Sequence, residues 1–285
     1  MKIMLIIIAL FLCYVIWQRQ ELKKFRIAHY TVVSERIHKP VKLLVAADFH
    51  CHIYGEGNKK LTTAVEEINP DLILVPGDMI VSAHTEDYPA ALSFFKELIK
   101  AAPVYFSNGN HESRVEQPES LYFEEYMEYK RQVEGLGVHI LNNEKEQVEC
   151  KENSLMLYGL DIPLDCYTKG KIVPLPENFL NDALGEADSE KFSVLLAHNP
   201  LFCDDYAAWG ADLTVAGHTH GGLIRLPGIG SVISPQFQLF PKYDSGFFTI
   251  GKRHAVVSRG LGTHTFHIRI FDRAELVVIH LKPEK

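Results

Sequence analysis

Residues 41–50 read Val41-Lys42-Leu43-Leu44-Val45-Ala46-Ala47-Asp48-Phe49-His50. An apolar run of strand length ends abruptly in an acid and a histidine. The device recurs. Leu72–Val75 runs into Gly77-Asp78, and Val104–Phe106 leads to Gly109-Asn110-His111. Phe192–Ala197 ends at His198, and Leu213–Ala216 ends at Gly217-His218. Helical spacing fills the gaps. Lys59–Ile68 carries apolar residues at Leu61, Ala64, Val65 and Ile68, while Ala90–Ile99 and Glu119–Val133 also read as helices. Buried strands alternating with helices predict an α/β class built from βαβ units. Val138–Leu141, Gln147–Cys150 and Leu155–Leu160 are further strands with little helix between them, and Gly246 to Leu281 reads as strands with turns.

The 285 residues suit one large domain, and 47% are apolar, enough for a core without disulfides. Formal net charge is −7, so no basic field draws in nucleic acid, and none is expected as partner. Five scattered cysteines form no CxxC pair, which excludes a zinc ribbon or a thioredoxin-like centre.

Five strand ends thus finish in metal-ligating residue types: Asp48-Phe49-His50, Gly77-Asp78, Gly109-Asn110-His111, His198 and Gly217-His218-Thr219-His220. Singly, each block reads as a turn, an N-cap or a core histidine. Together they have no packing explanation, because Asp and His are seldom buried without partners. In open α/β sheets, ligands bind beyond the carboxyl ends of the strands. Carboxylate, amide and imidazole donors suit Mn, Fe, Zn or Ni.

In their order, Asp48-x-His50, Gly77-Asp78, Gly109-Asn110-His111-Glu112, His198 and Gly217-His218-x-His220 resemble the signature of the calcineurin-like metallophosphoesterase superfamily. The likeness covers residues 41–281. Ser258-Arg259-Gly260-Leu261-Gly262-Thr263, followed by Ile268-Arg269, is similar to the branch holding the YkuE and YaeI proteins. That branch includes membrane-associated members, and some relatives cleave UDP-diacylglucosamine. The resemblance implies a four-layer α/β/β/α sandwich. It implies one divalent metal on Asp48, His50, Asp78 and His220, and a second on Asp78, Asn110, His198 and His218, with Asp78 bridging. It also implies His111 as general acid or leaving-group stabiliser. The expected reaction is hydrolysis of a phosphoester or pyrophosphate by a hydroxide between the two ions. A nuclease of the same fold, or a non-catalytic metal-binding scaffold, is the alternative.

Neighbouring residues carry weaker signals. Cys51 departs from the small or polar residue usual in the family, and it reads as a bystander beside His52. Glu112 reads as an acceptor orienting His111 or a ligand, or as a solvated loop charge. Arg114 is a substrate-phosphate contact or an exposed structural arginine, and His264 and His267 read as strand residues.

The chain opens differently. Ile3 to Trp17 is almost wholly apolar, and residues 18–40 are polar and charged. Fifteen helical residues span roughly 22 Å, short of a hydrocarbon core of roughly 30 Å. Lys2 and Arg19 can snorkel to extend the span. No small-residue cleavage site follows, which favours an uncleaved single-pass anchor over a signal peptide. Arg19, Lys23, Lys24 and Arg26 lie after the segment, so the positive-inside rule puts the rest of the chain on the cytoplasmic side. The expected division is an anchor at 1–20, a connector at 21–40 and one domain at 41–285. A tether favours a lipid-linked or envelope phosphate substrate over a freely diffusing one. No feature encodes an oligomeric state.

Overall fold

The apolar runs form strands, and the strands form two six-stranded sheets. The computed structural model describes residues 2–222, 224–263 and 267–284, so His264 lies outside the described residues. Lys2–Glu21 is helix α1 and Phe25–Ser34 is strand β1. Then come Val41–Val45 (β2), Lys59–Ile68 (α2), Leu72–Pro76 (β3), Tyr88–Ala101 (α3), Val104–Ser107 (β4), Asn110–Val115 (α4), Phe123–Gly135 (α5) and His139–Ile140 (β5). The second half contains Glu144–Cys150 (β6), Asn153–Leu160 (β7), Phe179–Leu184 (α6), Phe192–Ala197 (β8), Cys203–Trp209 (α7) and Leu213–Ala216 (β9). A small hairpin of Ile224–Leu226 (β10) and Gly230–Ile233 (β11) precedes Gly246–Ile250 (β12), Arg253–Val257 (β13) and Ala274–Pro283 (β14).

One sheet runs β1-β14-β2-β3-β4-β5, and the other runs β12-β13-β9-β8-β7-β6. Strands β2 to β5 are mutually parallel, as are β7, β8, β9 and β13. The parallel ends that carry the Asp and His blocks therefore point one way within each sheet.

Side-chain alternation explains the layering. Leu43, Val45, Leu72 and Leu74 of the first sheet pack against Leu157, Val194, Leu196 and Val215 of the second. The intervening residues Leu44, Ile73 and Val75 face the other way, onto Phe94 and Leu98 of α3 and Tyr126 of α5. On the far side, Leu195, Ala197 and Val257 cover Leu184 of α6 and Tyr206 of α7. The order is helices, sheet, sheet, helices.

Three segments differ from the sequence reading. Residues 25–34, inside the expected connector, form β1 in parallel register with β14, Phe25 opposite Ala274. It is a half-exposed edge strand, and its partner lies far along the chain, so periodicity hides it. Helix α5 starts at Phe123, not at 119, because Ser120 N donates to Gln117 O and Ser120 Oγ accepts from Tyr122 N. The Asn110 block, which read by itself as a turn or an N-cap, opens the short helix α4.

Helix α1 has 20 residues, so it spans about 30 Å at 1.5 Å per residue. It is long and apolar enough to cross a membrane, and its apolar side chains are exposed. Its last turn docks on the body. Gln18 Nε2 donates to Arg269 O (3.2 Å), Arg269 N donates to Gln18 Oε1 (2.9 Å), and Glu21 pairs with Arg273.

Leu74 is fully buried between the sheets. Leu74→Ala should lower unfolding free energy by about 2–5 kcal/mol. Urea unfolding should show an earlier midpoint at unchanged slope. An unshifted midpoint would mean that the intersheet layer is not the main core.

Candidate metal centre

Every strand-end block delivers its polar residue into one crevice. Asp48 follows β2, Asp78 follows β3, Asn110 follows β4, His198 follows β8 and His218 follows β9. Five of the seven predicted ligands have left-handed backbone: Asp48 (φ 50°), His50 (45°), Asp78 (55°), His218 (65°) and His220 (50°). Such residues cost of order 1–3 kcal/mol each and gather at functional sites. The strands are straight only up to the ligand, and the chain then turns sharply enough to aim it.

The side chains converge. Asp48, His50 and His220 form one group of ligand atoms within 4.8 Å of one another, and Asp78, His198 and His218 form another. A third group joins His50, Asp78 and His111, so Asp78 is shared. Asp78 Oδ2 lies 3.1 Å from His198 Nε2 and 3.8 Å from His50 Nε2. Asp48 Oδ1 lies 3.8 Å from His220 Nε2 and 3.9 Å from His198 Nε2. The ring nitrogens His50 Nε2 and His220 Nε2 face each other at 3.2 Å. Behind the crevice, Nδ1 of His50 meets Ile80 O (3.1 Å) and Nδ1 of His198 meets Pro76 O (2.7 Å). A carbonyl accepts only from a protonated nitrogen, so each ring keeps a proton on Nδ1 and, when neutral, presents an Nε2 lone pair on the carboxylate side.

Comparison with known proteins agrees with this geometry. Residues 41–222 match the family model described as calcineurin-like phosphoesterase. The chain belongs to that family. It is 26% identical to the Escherichia coli protein called phosphodiesterase YaeI, over 85% of this chain and 82% of that one. It is also 26% identical to the uncharacterized metallophosphoesterase YkuE of Bacillus subtilis, over 85% of this chain and 79% of the relative. A 5′-nucleotidase precursor from Thermus thermophilus shares the fold, with a TM-score of 0.50 at 14% identity over 85% of this chain and 54% of that chain. The family and the ligand groups together support a metal-dependent phosphoester hydrolase acting on a phosphate-containing substrate.

This member of the family holds its carboxylates from behind. Glu112 is fully buried, and its two oxygens accept from Asp78 N (2.9 Å), Gly109 N (3.0 Å), Met79 N (2.7 Å) and Ile80 N (3.2 Å). It is therefore the acceptor that the sequence allowed, not a solvated charge, and what it orients is the whole 78–80 turn. Gly109 must lack a side chain, since a Cβ there would collide with Asp78 Oδ1. Asp48 is held from the tail: Leu261 N donates to Ala47 O (3.0 Å) and Gly262 N to Asp48 O (2.6 Å).

That tail depends on Arg269, whose function sequence inspection missed. Its buried guanidinium donates to the carbonyls of Arg259, Gly260, Gly262 and Asp272. Its place in the Ser258–Arg269 block was the available signal. His267, read as a strand residue, lies outside any strand, between β13 and β14, and meets Thr263 Oγ1 (3.0 Å); Cys51 is buried against Met79 O, apart from the ligand groups. Arg114 is exposed, yet one nitrogen lies 2.9 Å from the Asn110 amide.

Electrostatics demand a cation. Burial pushes Asp48 up to about 7, with His198 opposing and Asp78 adding to the rise. Burial also acts to raise Asp78, but His198, His111 and His50 hold it well below the usual carboxylate range. Burial would lower His198, yet Asp78 and Asp48 keep it up at about 9. Two carboxylates in one dry pocket need positive charge, from protonated imidazole or from a divalent ion. Burial, with Asp78 beside it, pushes Glu112 up to about 8, and its amide donors favour the ionised form.

Glutamine at 112 could offer only one acceptor oxygen to these four amides. Glu112→Gln should weaken Mn²⁺ affinity about 10–100-fold, the usual effect of losing a group that orients a ligand. Calorimetric titration reads it, with a thermal melt confirming a folded chain. Unchanged affinity would show that the 78–80 turn holds its shape without Glu112.

Proposed function

We propose that this chain is a two-metal phosphoesterase tethered to a membrane by α1. The observation that supports it best is the arrangement of His50 and His198. Each ring is tied by Nδ1 to a carbonyl, and each Nε2 is turned to Asp78. The donor set fits a pair of divalent cations. Asp48 Oδ2 is buried with no hydrogen-bond partner, as an oxygen reserved for a cation would be. Asp48, His50, Asp78 and His220 would hold one ion, and Asp78, Asn110, His198 and His218 the other. Asn110 has one amide end 2.8 Å from His218 Nδ1 and the other facing His111 N and Arg114. Hydrogen bonding alone turns its nitrogen to His218, whereas ligation turns its oxygen there.

Two bound ions would polarise the phosphoryl oxygens and lower the pKa of an attacking water. The chain supplies the rest. Asp78 shares its charge between the two ligand groups and sets their separation. His111 serves the leaving group. Ser82 N donates to His111 Nδ1 (2.9 Å), so the neutral ring carries its proton on Nε2 and can hydrogen-bond the charge that develops on the leaving oxygen. His111 N also donates to Asp78 Oδ1 (2.9 Å), which ties this hydrogen-bond donor to the shared carboxylate.

The bond cleaved is proposed to be a phosphodiester, following the name of YaeI, with a pyrophosphate as second reading. The exposed apolar α1 favours a lipid-linked or envelope substrate, with the domain on the cytoplasmic side by its basic flank. The net charge of −7 counts against a nuclease.

The test uses the detergent-extracted full chain with Mn²⁺. Hydrolysis of bis-p-nitrophenyl phosphate should exceed that of p-nitrophenyl phosphate and should vanish in Asp78→Ala, with metal content falling from two ions per chain. Turnover that survives in the mutant would end the proposal. His111→Ala should lose about 10²–10⁴-fold with an alkyl leaving group. It should lose far less with p-nitrophenolate, which departs without a proton. Equal losses on both esters would remove His111 from the leaving-group role.

A further inference from the structure

We propose that residues 224–240 form a second membrane contact, which lays the mouth of the metal centre on the bilayer surface. The inference rests on the reading of α1 as an anchor. Ile224, Leu226, Ile229, Phe237, Leu239 and Phe240 are each 40–69% exposed, all within one short segment. Soluble surfaces scatter such residues singly, and their concentration in one short segment points to an interaction surface.

The segment is an ordered unit. Strands β10 and β11 pair, Ile233 bridges Leu239, Phe240 N donates to Val232 O (3.0 Å), and Ser234 N donates to Gln238 O (2.9 Å). Its aromatic residues are held outward under strain. Phe237 (φ 63°) and Phe240 (φ 48°) have left-handed backbone, and so does the exposed Phe271 (φ 54°). A bulky residue in that conformation is an outlier, and water offers these rings nothing in return.

Continuity with α1 selects a bilayer as the occupant. Trp17, near the end of α1, has its ring 6.3 Å from that of Phe271. The next residue, Asp272, backs Gly221, where any Cβ would collide with its carboxylate. Gly221 O accepts from Arg225 of β10 (3.2 Å). An unbroken path thus joins the anchor to the hairpin, which begins four residues after His220. A tryptophan at this point suits the membrane–water interface. Arg19, Lys23 and Lys24 lie beside it, and Lys169 sits 5.5 Å over the Phe237 ring, so cations for anionic headgroups accompany both contacts.

The test places the full chain in vesicles of phosphatidylcholine and phosphatidylglycerol, with or without lipids brominated near the carbonyl end. The parent has Trp17 and Trp209; the second packs on Tyr158 of the body. Quenching of the parent reports Trp17 and therefore the anchor. Leu239→Trp adds a probe on the hairpin, and Phe240→Trp is its partner should the first variant fold poorly. A side chain sunk about 5–10 Å into the headgroup boundary should lose about half its emission. Quenching of the parent and of the added emission supports the proposal. A quenched parent with unquenched added emission from both variants overturns it and leaves the anchor standing. An unquenched parent overturns the anchor and the proposal together. Unquenched added emission in a chain that is dimeric in detergent, and that Leu239→Asp renders monomeric, assigns the surface to a second copy and overturns the bilayer contact.

Discussion

Two buried carboxylates that cannot share a pocket without positive charge govern this structure. Asp48 and Asp78 come from adjacent parallel strands, β2 and β3, and both are essentially inaccessible to water. Removing two such charges from solvent costs far more than any nearby packing returns. The surroundings are arranged to meet that demand. His50, His198, His218 and His220 ring the pair, backbone amides of His111 and His218 donate to it, and the strained turns aim every group inward. The left-handed ligands are therefore part of the same constraint. A relaxed strand end would carry its acid or histidine past the crevice.

The two-sheet architecture is what makes the pair reachable from both sides. Asp48, Asp78 and Asn110 come from one sheet and His198, His218 and His220 from the other, so the centre sits where the sheets' carboxyl ends meet. The intersheet layer of Leu43, Leu74, Val194 and Val215 fixes their separation. Close packing transmits displacement, since interiors have little free volume to absorb it. Residues that follow strands as remote in sequence as β3 and β9 are thereby held in one crevice.

Much of this was legible in the sequence because strand, turn and ligand are local events. Val41–Ala47 followed by Asp48 states a strand and its terminal chemistry within one window, and Phe192–His198 does the same. Helix α2 was readable to both of its ends, since Leu61, Ala64, Val65 and Ile68 mark one face and Asn69 closes it in left-handed conformation. The illegible parts are those fixed at long range. Strand β1 exists only because β14 lies beside it. Arg269 acts on carbonyls three to ten residues away through a fold that no periodicity encodes. Glu112 could be read either as a loop charge or as an acceptor, because three of its four amides come from a turn on another strand.

The attachment of α1 bears on how the site meets its substrate. A flexible linker would raise local concentration and leave orientation free. Here the helix ends in contacts: Gln18 exchanges two hydrogen bonds with Arg269, Glu21 pairs with Arg273, and Leu22 O meets His52 Nε2 at 2.9 Å. Arg269 in turn holds the Gly260–Gly262 turn, whose amide reaches Asp48 O. The same residue therefore joins the base of the apolar helix to the backbone of a predicted ligand. Such a joint sets direction as well as distance, so whatever surface α1 enters, the crevice faces it at a fixed angle. Substrates presented in that surface would gain from it, and substrates in bulk water would gain nothing. On the proposed reading of α1 as an anchor, the docked helix favours a phosphate carried at an interface.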